Sequence, residues 1–460
     1  MDKVVIVGAG PVGCLLALRL VDKGYKIVLL ERSSEEILES TRDNGKAINL
    51  TLCDRGFKAL EGLPIAGFLK EISVPAYGRC IHNSEGQIAY QPYGNRNEAL
   101  YSVRRSDLGR LFLQQVLKRP EIELRFNQKC VGIRWSPLAV EIKDLAAGNT
   151  YLEPADRIIG ADGAFSSVRS ILQRSGRFNY SQQFLDQGYK EIVFPKTARV
   201  PWAKTKTVLH MWPRERYMLL GFPNTDGSFT CSLHMPFEGD VSFSSLTGAK
   251  EIVSFFSRVF PDVVEDLPQL AQDFQSTPAS TMVSIRCEPW SIEGKVGLIG
   301  DAAHVIFPYY GQGANAGWED CGVLMECLEQ SRHNWSEAFK KYERLRKPNL
   351  DTMADLCKEH YIELRKSLAD PQFVFRKQIE RRMSELYPNR YQPLYSMIAF
   401  TCMPYVEALA IDQEQRLIVD EIMRVRNIGL GCKQDQIDAA IDSVMQTSLN
   451  QSRMAAQVPA

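Results

Sequence analysis

A chain of 460 residues is too long for one simple core, so the length predicts two or three domains. Fifty-five basic residues balance 55 acidic ones, which removes the basic surface that a nucleic-acid binder needs. The eleven scattered cysteines include no Cys-x-x-Cys pair; they read as reduced thiols of a cytoplasmic protein, and no metal-ligand set stands out.

In chain order the first elements are strand, turn, helix and strand: "KVVIVGAG", "PVGCLLALRLVDKG" and "YKIVLLER". This βαβ unit predicts a parallel sheet. The apolar start has no cleavage site and runs straight into a glycine turn, so it reads as a strand and not as a signal peptide. In Gly8-Ala9-Gly10-Pro11-Val12-Gly13, Gly8 permits the turn, Gly10 the approach of a pyrophosphate and Gly13 close helix–strand packing. Pyrophosphate then meets the helix N-terminus. Glu31, 18 positions beyond Gly13, is placed to accept from ribose hydroxyls, with Arg32 beside it. GxGxxG alone is a weak signal; strand, helix and acidic residue together favour FAD or NAD.

A second α/β stretch runs from about Tyr101 to Ser170 and contains "IIGADGAFSSVRS". Asp162 there is either a cofactor contact or the cap of the helix that follows. Between Lys206 and Phe237, strand-like runs separated by "PRE" and "NTDG" predict an antiparallel layer. A third α/β stretch, from Gly294 to about Ser331, holds "GDAAHVIFPYYGQGANAG". Asp301 ends a strand where it can accept from a ribose or ribityl hydroxyl. The glycines after the aromatic block predict a helix start at "GQGANAG"; taken alone it is a plain strand–loop–helix joint, and if a flavin is bound it sets Gly313, Ala314 and Asn315 against the flavin edge. After Ser336 the pattern is helical, with Met353, Cys357, His360 and Leu364 on one face. The apolar run Tyr395 to Ile411 is broken by Pro404 and Glu407, so no membrane anchor is expected.

The fold class expected is α/β: a Rossmann-like parallel-sheet dinucleotide-binding domain in pieces 1–70, 98–180 and 280–335, with an antiparallel β-sheet domain (71–97 and 181–279) inserted; the resemblance described next implies that the first holds FAD and the second the substrate. Residues 336–460 form a helical C-terminal region.

The order and spacing of the three motifs resemble the FAD-dependent aromatic hydroxylases of the p-hydroxybenzoate hydroxylase type. Added to them, "GKAINLTLCDRG", "GRCIH", "QPYG", "NYSQQF", "LHMWPR", "FTCSLHMPF" and "PLYSMIAF" are similar to the kynurenine 3-monooxygenase family over nearly the whole chain. The resemblance implies tightly bound FAD and NADPH as a transient co-substrate. It also implies O2 activation as a flavin C4a-hydroperoxide and oxygen transfer to an aminoaryl acid, L-kynurenine first. By motif it assigns Arg79, Tyr93 and Tyr395 to the amino-acid end of the substrate and Arg105 to the flavin. His360 stands where the family has Asn. Tyr309 and Tyr310 replace two Phe, Ala314 replaces Met, and "KAINLT" replaces "RSINLA". These departures leave a substituted kynurenine or an anthranilate open as the substrate. No catalytic acid or base is implied, because the aniline nitrogen itself activates the ring. A flavin halogenase would be expected to carry Trp-x-Trp, which the six tryptophans do not form, and a scaffold would not need Asp301 and "GQG". Oligomeric state is not legible.

Overall fold

The computed structural model describes residues 2–38, 49–93, 98–196, 201–264, 270–366, 371–425 and 428–455. Gly45 to Ile48 of "GKAINLT" and Gly94 of "QPYG" lie outside them.

The runs Val4–Val7 and Ile27–Leu30 are buried throughout, as strands covered on both faces must be. They form the centre of a six-stranded sheet in the order 291–292, 296–298, 157–160, 3–7, 26–30, 122–125. All pairings are parallel except at the 291–292 edge. Register does the work here. Val7 pairs with both Leu30 and Gly160, and Gly160 pairs with Leu298. The Gly8 turn, Glu31, Asp162 and the Asp301 loop therefore leave the sheet along one carboxyl edge, where ligands of open α/β sheets bind. Pro11 opens helix Pro11–Val21 at a position where its missing N–H is no loss.

The layer expected to be antiparallel is an eight-stranded sheet in the order 304–305, 280–288, 179–194, 229–236, 217–223, 209–214, 78–82, 88–92, antiparallel except where 209–214 pairs parallel with 78–82. On strand Phe229–Pro236, Phe229, Cys231, Leu233 and Met235 pack with Phe255, Phe256 and Phe274 into a second core. By alternation Thr230, Ser232 and His234 face the other way, and the His234 ring lies 6.0 Å from that of Tyr309. Strand Ser280–Glu288 pairs within this sheet, although the sequence grouped it with the dinucleotide-binding pieces. Its alternating "STMVSIRCE" satisfies the edge of strand Asn179–Phe194 before the chain re-enters the six-stranded sheet at Ser291.

The C-terminal part is helical, with helices Trp335–Lys366, Pro371–Leu386, Leu394–Ala399, Tyr405–Arg424 and Gln434–Ala455. Among the described residues no helix is long and apolar enough to cross a membrane.

Candidate active site

The glycine turn is built as its spacing requires. Gly8 has φ +105°, and a Cβ on Gly13 would lie 1.9 Å from the Gly8 carbonyl oxygen. A Cβ on Gly10 would meet nothing within 4 Å, so its backbone is open to a ligand. Val12 fills a different need: a Cβ on Gly317 would come 2.8 Å from Val12 Cγ2, so this side chain packs the first helix against helix Gly313–Gln330. Glu31 accepts from the amides of Ala9 (3.1 Å) and Ser33 (2.8 Å), which fixes its carboxylate at the turn with lone pairs to spare. Arg32 beside it is exposed.

Asp162 proves to be a cap. Its carboxylate accepts from the amides of Ser167 (2.6 Å) and Val168 (3.2 Å) and from Ser166 Oγ, at the start of helix Ser167–Leu172. Asp301 differs: among the described residues its carboxylate has no hydrogen-bond partner. Burial pushes its carboxyl up, while His304 and then Arg105 hold it down. Arg105, exposed at the start of helix Arg105–Leu117, thus projects its charge onto the Asp301 loop.

Helix Gly313–Gln330 begins after the left-handed Gly311, whose Cβ would sit 2.1 Å from Thr51 Oγ1. The first helical amide bond is Ala316 N–H to the Gln312 carbonyl, so the amides of Gly313, Ala314 and Asn315 are available at a positive helix end. A Cβ on Gly313 would meet nothing within 4 Å. The Asn315 side chain is committed elsewhere: Nδ2 donates to the carbonyls of Thr51 and Gly311, and Oδ1 accepts from Cys53 N–H. It braces the loop, leaving only its backbone for a cofactor.

Beside this helix end the chain gathers residues from positions 79 to 395. The Tyr93 and Tyr395 rings stack at 5.4 Å, Tyr395 and Tyr310 at 5.8 Å, and Tyr310 lies 4.8 Å from His360. Arg79 is held through Nε on Gln91 Oε1 at 3.0 Å, and its field acts on Tyr93, Tyr395 and His360. Among the described residues, Arg79 Nη1 and Nη2 and the hydroxyls of Tyr93, Tyr310 and Tyr395 have no hydrogen-bond partner. Burial pushes all three tyrosine hydroxyls up, so they remain neutral donors. Tyr309 stands apart from this group, stacked on Tyr361 at 5.0 Å and 6.0 Å from His234.

The sequence matches the FAD binding domain family over residues 1–356. It is 41% identical over 93% of its length to the kynurenine 3-monooxygenase of Flavobacterium johnsoniae, covering 95% of that protein. The chain belongs to the kynurenine 3-monooxygenase family. The enzyme of that name from Flavobacterium psychrophilum is 38% identical over 96% of this chain and 98% of its own. The structure of 2-methyl-3-hydroxypyridine-5-carboxylic acid oxygenase superposes with a TM-score of 0.65 at 19% identity, covering 81% of this chain and 94% of the other, and shares the fold.

Membership of this family makes the protein an FAD-dependent monooxygenase, and its residues fit the cofactor. Open backbone at Gly10 and Gly313, an unpartnered Asp301 and a positioned Glu31 are the donor and acceptor set that a dinucleotide with a tricyclic head requires.

Several residues of the site escaped the sequence reading. Gln312, 1% exposed, contacts Cys53 Sγ and accepts from Tyr405 Oη. Asp320, fully buried, receives Arg346 Nε at 2.6 Å, faces His304 Nε2 at 2.6 Å and accepts from Gly300 N–H at 3.2 Å. His234, 1% exposed, bonds Ser232 Oγ at 3.1 Å and leaves Nδ1 buried without a partner. Local signals were offered only by "GDAAH", through His304, and by Ser232 beside His234; Cys53, Tyr405 and Arg346 come from more distant segments.

Proposed function

We propose that this protein hydroxylates L-kynurenine to 3-hydroxykynurenine, consuming NADPH and O2. The observation that carries the reading is the convergence of Arg79, Tyr93, Tyr310 and Tyr395, with unpartnered polar ends, on one aromatic cluster beside the free end of helix Gly313–Gln330. Similarity to named kynurenine 3-monooxygenases over 93% of the chain supports the same substrate.

In this reading the two Arg79 Nη donors take the substrate carboxylate in parallel hydrogen bonds, and Tyr93 and Tyr395 donate to the same end. His360 completes that end and Tyr310 walls the aryl ring, while Tyr309, expected beside it, packs with Tyr361 and His234 outside the cluster. Gly8, Gly10, Val12 and Gly13 cradle the pyrophosphate, Glu31 the ribose with Arg32 alongside, and Arg105 and Asp301 the flavin side. The amides of Gly313, Ala314 and Asn315 stabilise negative charge at the flavin edge. Bound FAD, reduced by transiently bound NADPH, supplies the activated oxygen. The protein positions the ring and excludes water. No side chain removes a substrate proton, because the aniline lone pair activates the ring. A variant that still bound substrate and accepted reducing equivalents but lost oxygen transfer would count against that last point.

The test is NADPH oxidation over a panel of kynurenine, substituted kynurenines, anthranilate and tryptophan, with hydroxylated product identified by mass. Hydroxylation of another aminoaryl acid in the absence of any kynurenine product overturns the assignment. The reading places the protein in the cytoplasm, supported by eleven free thiols of which nine are buried, and cell fractionation checks it.

A further inference from the structure

His360 lies on helix Trp335–Lys366 with Glu363 on the same face, Nδ1 to Oε2 3.3 Å. The hydrogen bond from His360 holds the Glu363 carboxyl below its usual range, so it is an ionised, acceptor-only group. His360 Nδ1 must therefore carry the N–H. Burial, the largest influence, lowers the imidazole's proton affinity, and in the free protein the ring is neutral with a bare lone pair at Nε2. That atom has no partner among the described residues, and the side chain is 16% exposed beside Tyr310.

The charges around this pair come from four elements. Glu363 shares the helix, and Arg79 acts from strand Gly78–His82. Lys377 faces the pair from helix Pro371–Leu386. Arg416, paired with Asp412 at 2.6 Å on helix Tyr405–Arg424, faces Glu363. The cations Arg79 and Lys377 oppose a proton on His360; only Glu363 favours it.

We propose that His360 and Glu363 form a proton-coupled receptor for the substrate carboxylate, in which one proton enters His360 each time that carboxylate settles against Arg79. This rests on the placement of the carboxylate at Arg79 proposed above. A carboxylate there neutralises the opposing field of Arg79 and presents an oxygen to the lone pair of Nε2. Two acceptors cannot bond. One proton taken from water converts the ring to imidazolium, which donates from Nδ1 to Glu363 and from Nε2 to the substrate. No other bond forms or breaks, and the Glu363 carboxylate balances the new charge. An amide at this position would reach the same carboxylate without a proton, so the His–Glu pair makes affinity pH-dependent. Linkage is reciprocal: whatever binds better with the proton also raises proton affinity.

The test is calorimetric titration of the FAD-loaded, full-length protein with L-kynurenine in buffers of different ionisation enthalpy. Expected for the native chain is uptake of about one proton per kynurenine, with Kd rising about tenfold per pH unit between the free and bound pKa values of His360. His360→Asn, checked for retained flavin absorbance, takes up no proton and binds with a flat Kd. If the native chain shows no uptake and a flat Kd between about pH 6 and 8.5 while Arg79→Ala abolishes binding, the receptor is refuted and the site reading survives. If Arg79→Ala binds kynurenine like the native chain, the site reading falls and the receptor with it.

Discussion

Tyr405 donates its hydroxyl hydrogen to Gln312 Oε1 over 3.0 Å, joining residues 93 positions apart. Gln312 immediately precedes helix Gly313–Gln330, and Tyr405 opens a C-terminal helix with Arg55 4.2 Å above its ring. The C-terminal helices thus hold the open amide end of helix Gly313–Gln330, the end proposed above to face the flavin. Tyr405→Phe keeps the ring and leaves the buried Gln312 Oε1 with only the weak Cys53 Sγ donor at 3.8 Å, a loss of about 1–3 kcal/mol. Both thermal stability and FAD retention on dilution should fall. Unchanged FAD retention would show that this bond does not hold the helix end.

Gly311 has φ +65° and faces Thr51 Oγ1. Gly311→Ala loses about 1–2 kcal/mol from the left-handed backbone alone, before any displacement of Thr51. Adding Thr51→Ala relieves the contact but not the dihedral, so the double variant recovers part of the stability. Chemical unfolding of the three variants separates the two contributions, and full recovery would refute the backbone strain.

Asp320 is fully buried and Arg346 is 4% exposed, and the pair connects helix Gly313–Gln330 to helix Trp335–Lys366. Among the described residues, Arg346→Met leaves Asp320 with His304 Nε2 and the Gly300 amide as its partners, and Glu319 with Arg55. Removing one partner of a buried ion pair destabilises by about 3–5 kcal/mol. Urea unfolding reads this directly; a change below about 1 kcal/mol would place the pair in the range of surface bridges.

Burial pushes the His234 imidazole down to about 4. The unfolded chain begins to take up this proton as pH falls through about 6.5, while the folded protein refuses it until about 4. Stability from this residue is therefore complete above about pH 6.5 and falls by about 1.4 kcal/mol per unit below it. At pH 5 the loss is about 2 kcal/mol, and His234→Gln removes it. Urea midpoints at about pH 7.5 and 5 for both chains give the difference; equal acid losses would mean that His234 is protonated in the folded state.

The dinucleotide turn was readable because its information is local. Gly8, Gly10 and Gly13 carry backbone requirements that hold within a few residues, and the strand and helix around them follow from periodicity. The same holds for the antiparallel layer around "NTDG" and for the helices after Ser336. Asp162 marks the limit: a carboxylate before a helix serves as a cap or as a cofactor contact, and only the amides of Ser167 and Val168 decided for the cap.

What the sequence by itself determined was a parallel-sheet dinucleotide-binding domain, its three motifs and, through resemblance, the family and its FAD. Tertiary structure decided where the chemistry gathers. Register along Val7, Leu30, Gly160 and Leu298 brings the three loops to one sheet edge. Packing of Tyr93, just past strand Ile88–Pro92, on the short helix at 395 helps bring Arg79, Tyr93, Tyr310, His360 and Tyr395 together. It also commits the Asn315 side chain to Thr51, Gly311 and Cys53. The physical reason is range: dihedral preferences and caps act over a few residues. Burial, ring stacking and charge pairing act between surfaces that meet only after folding.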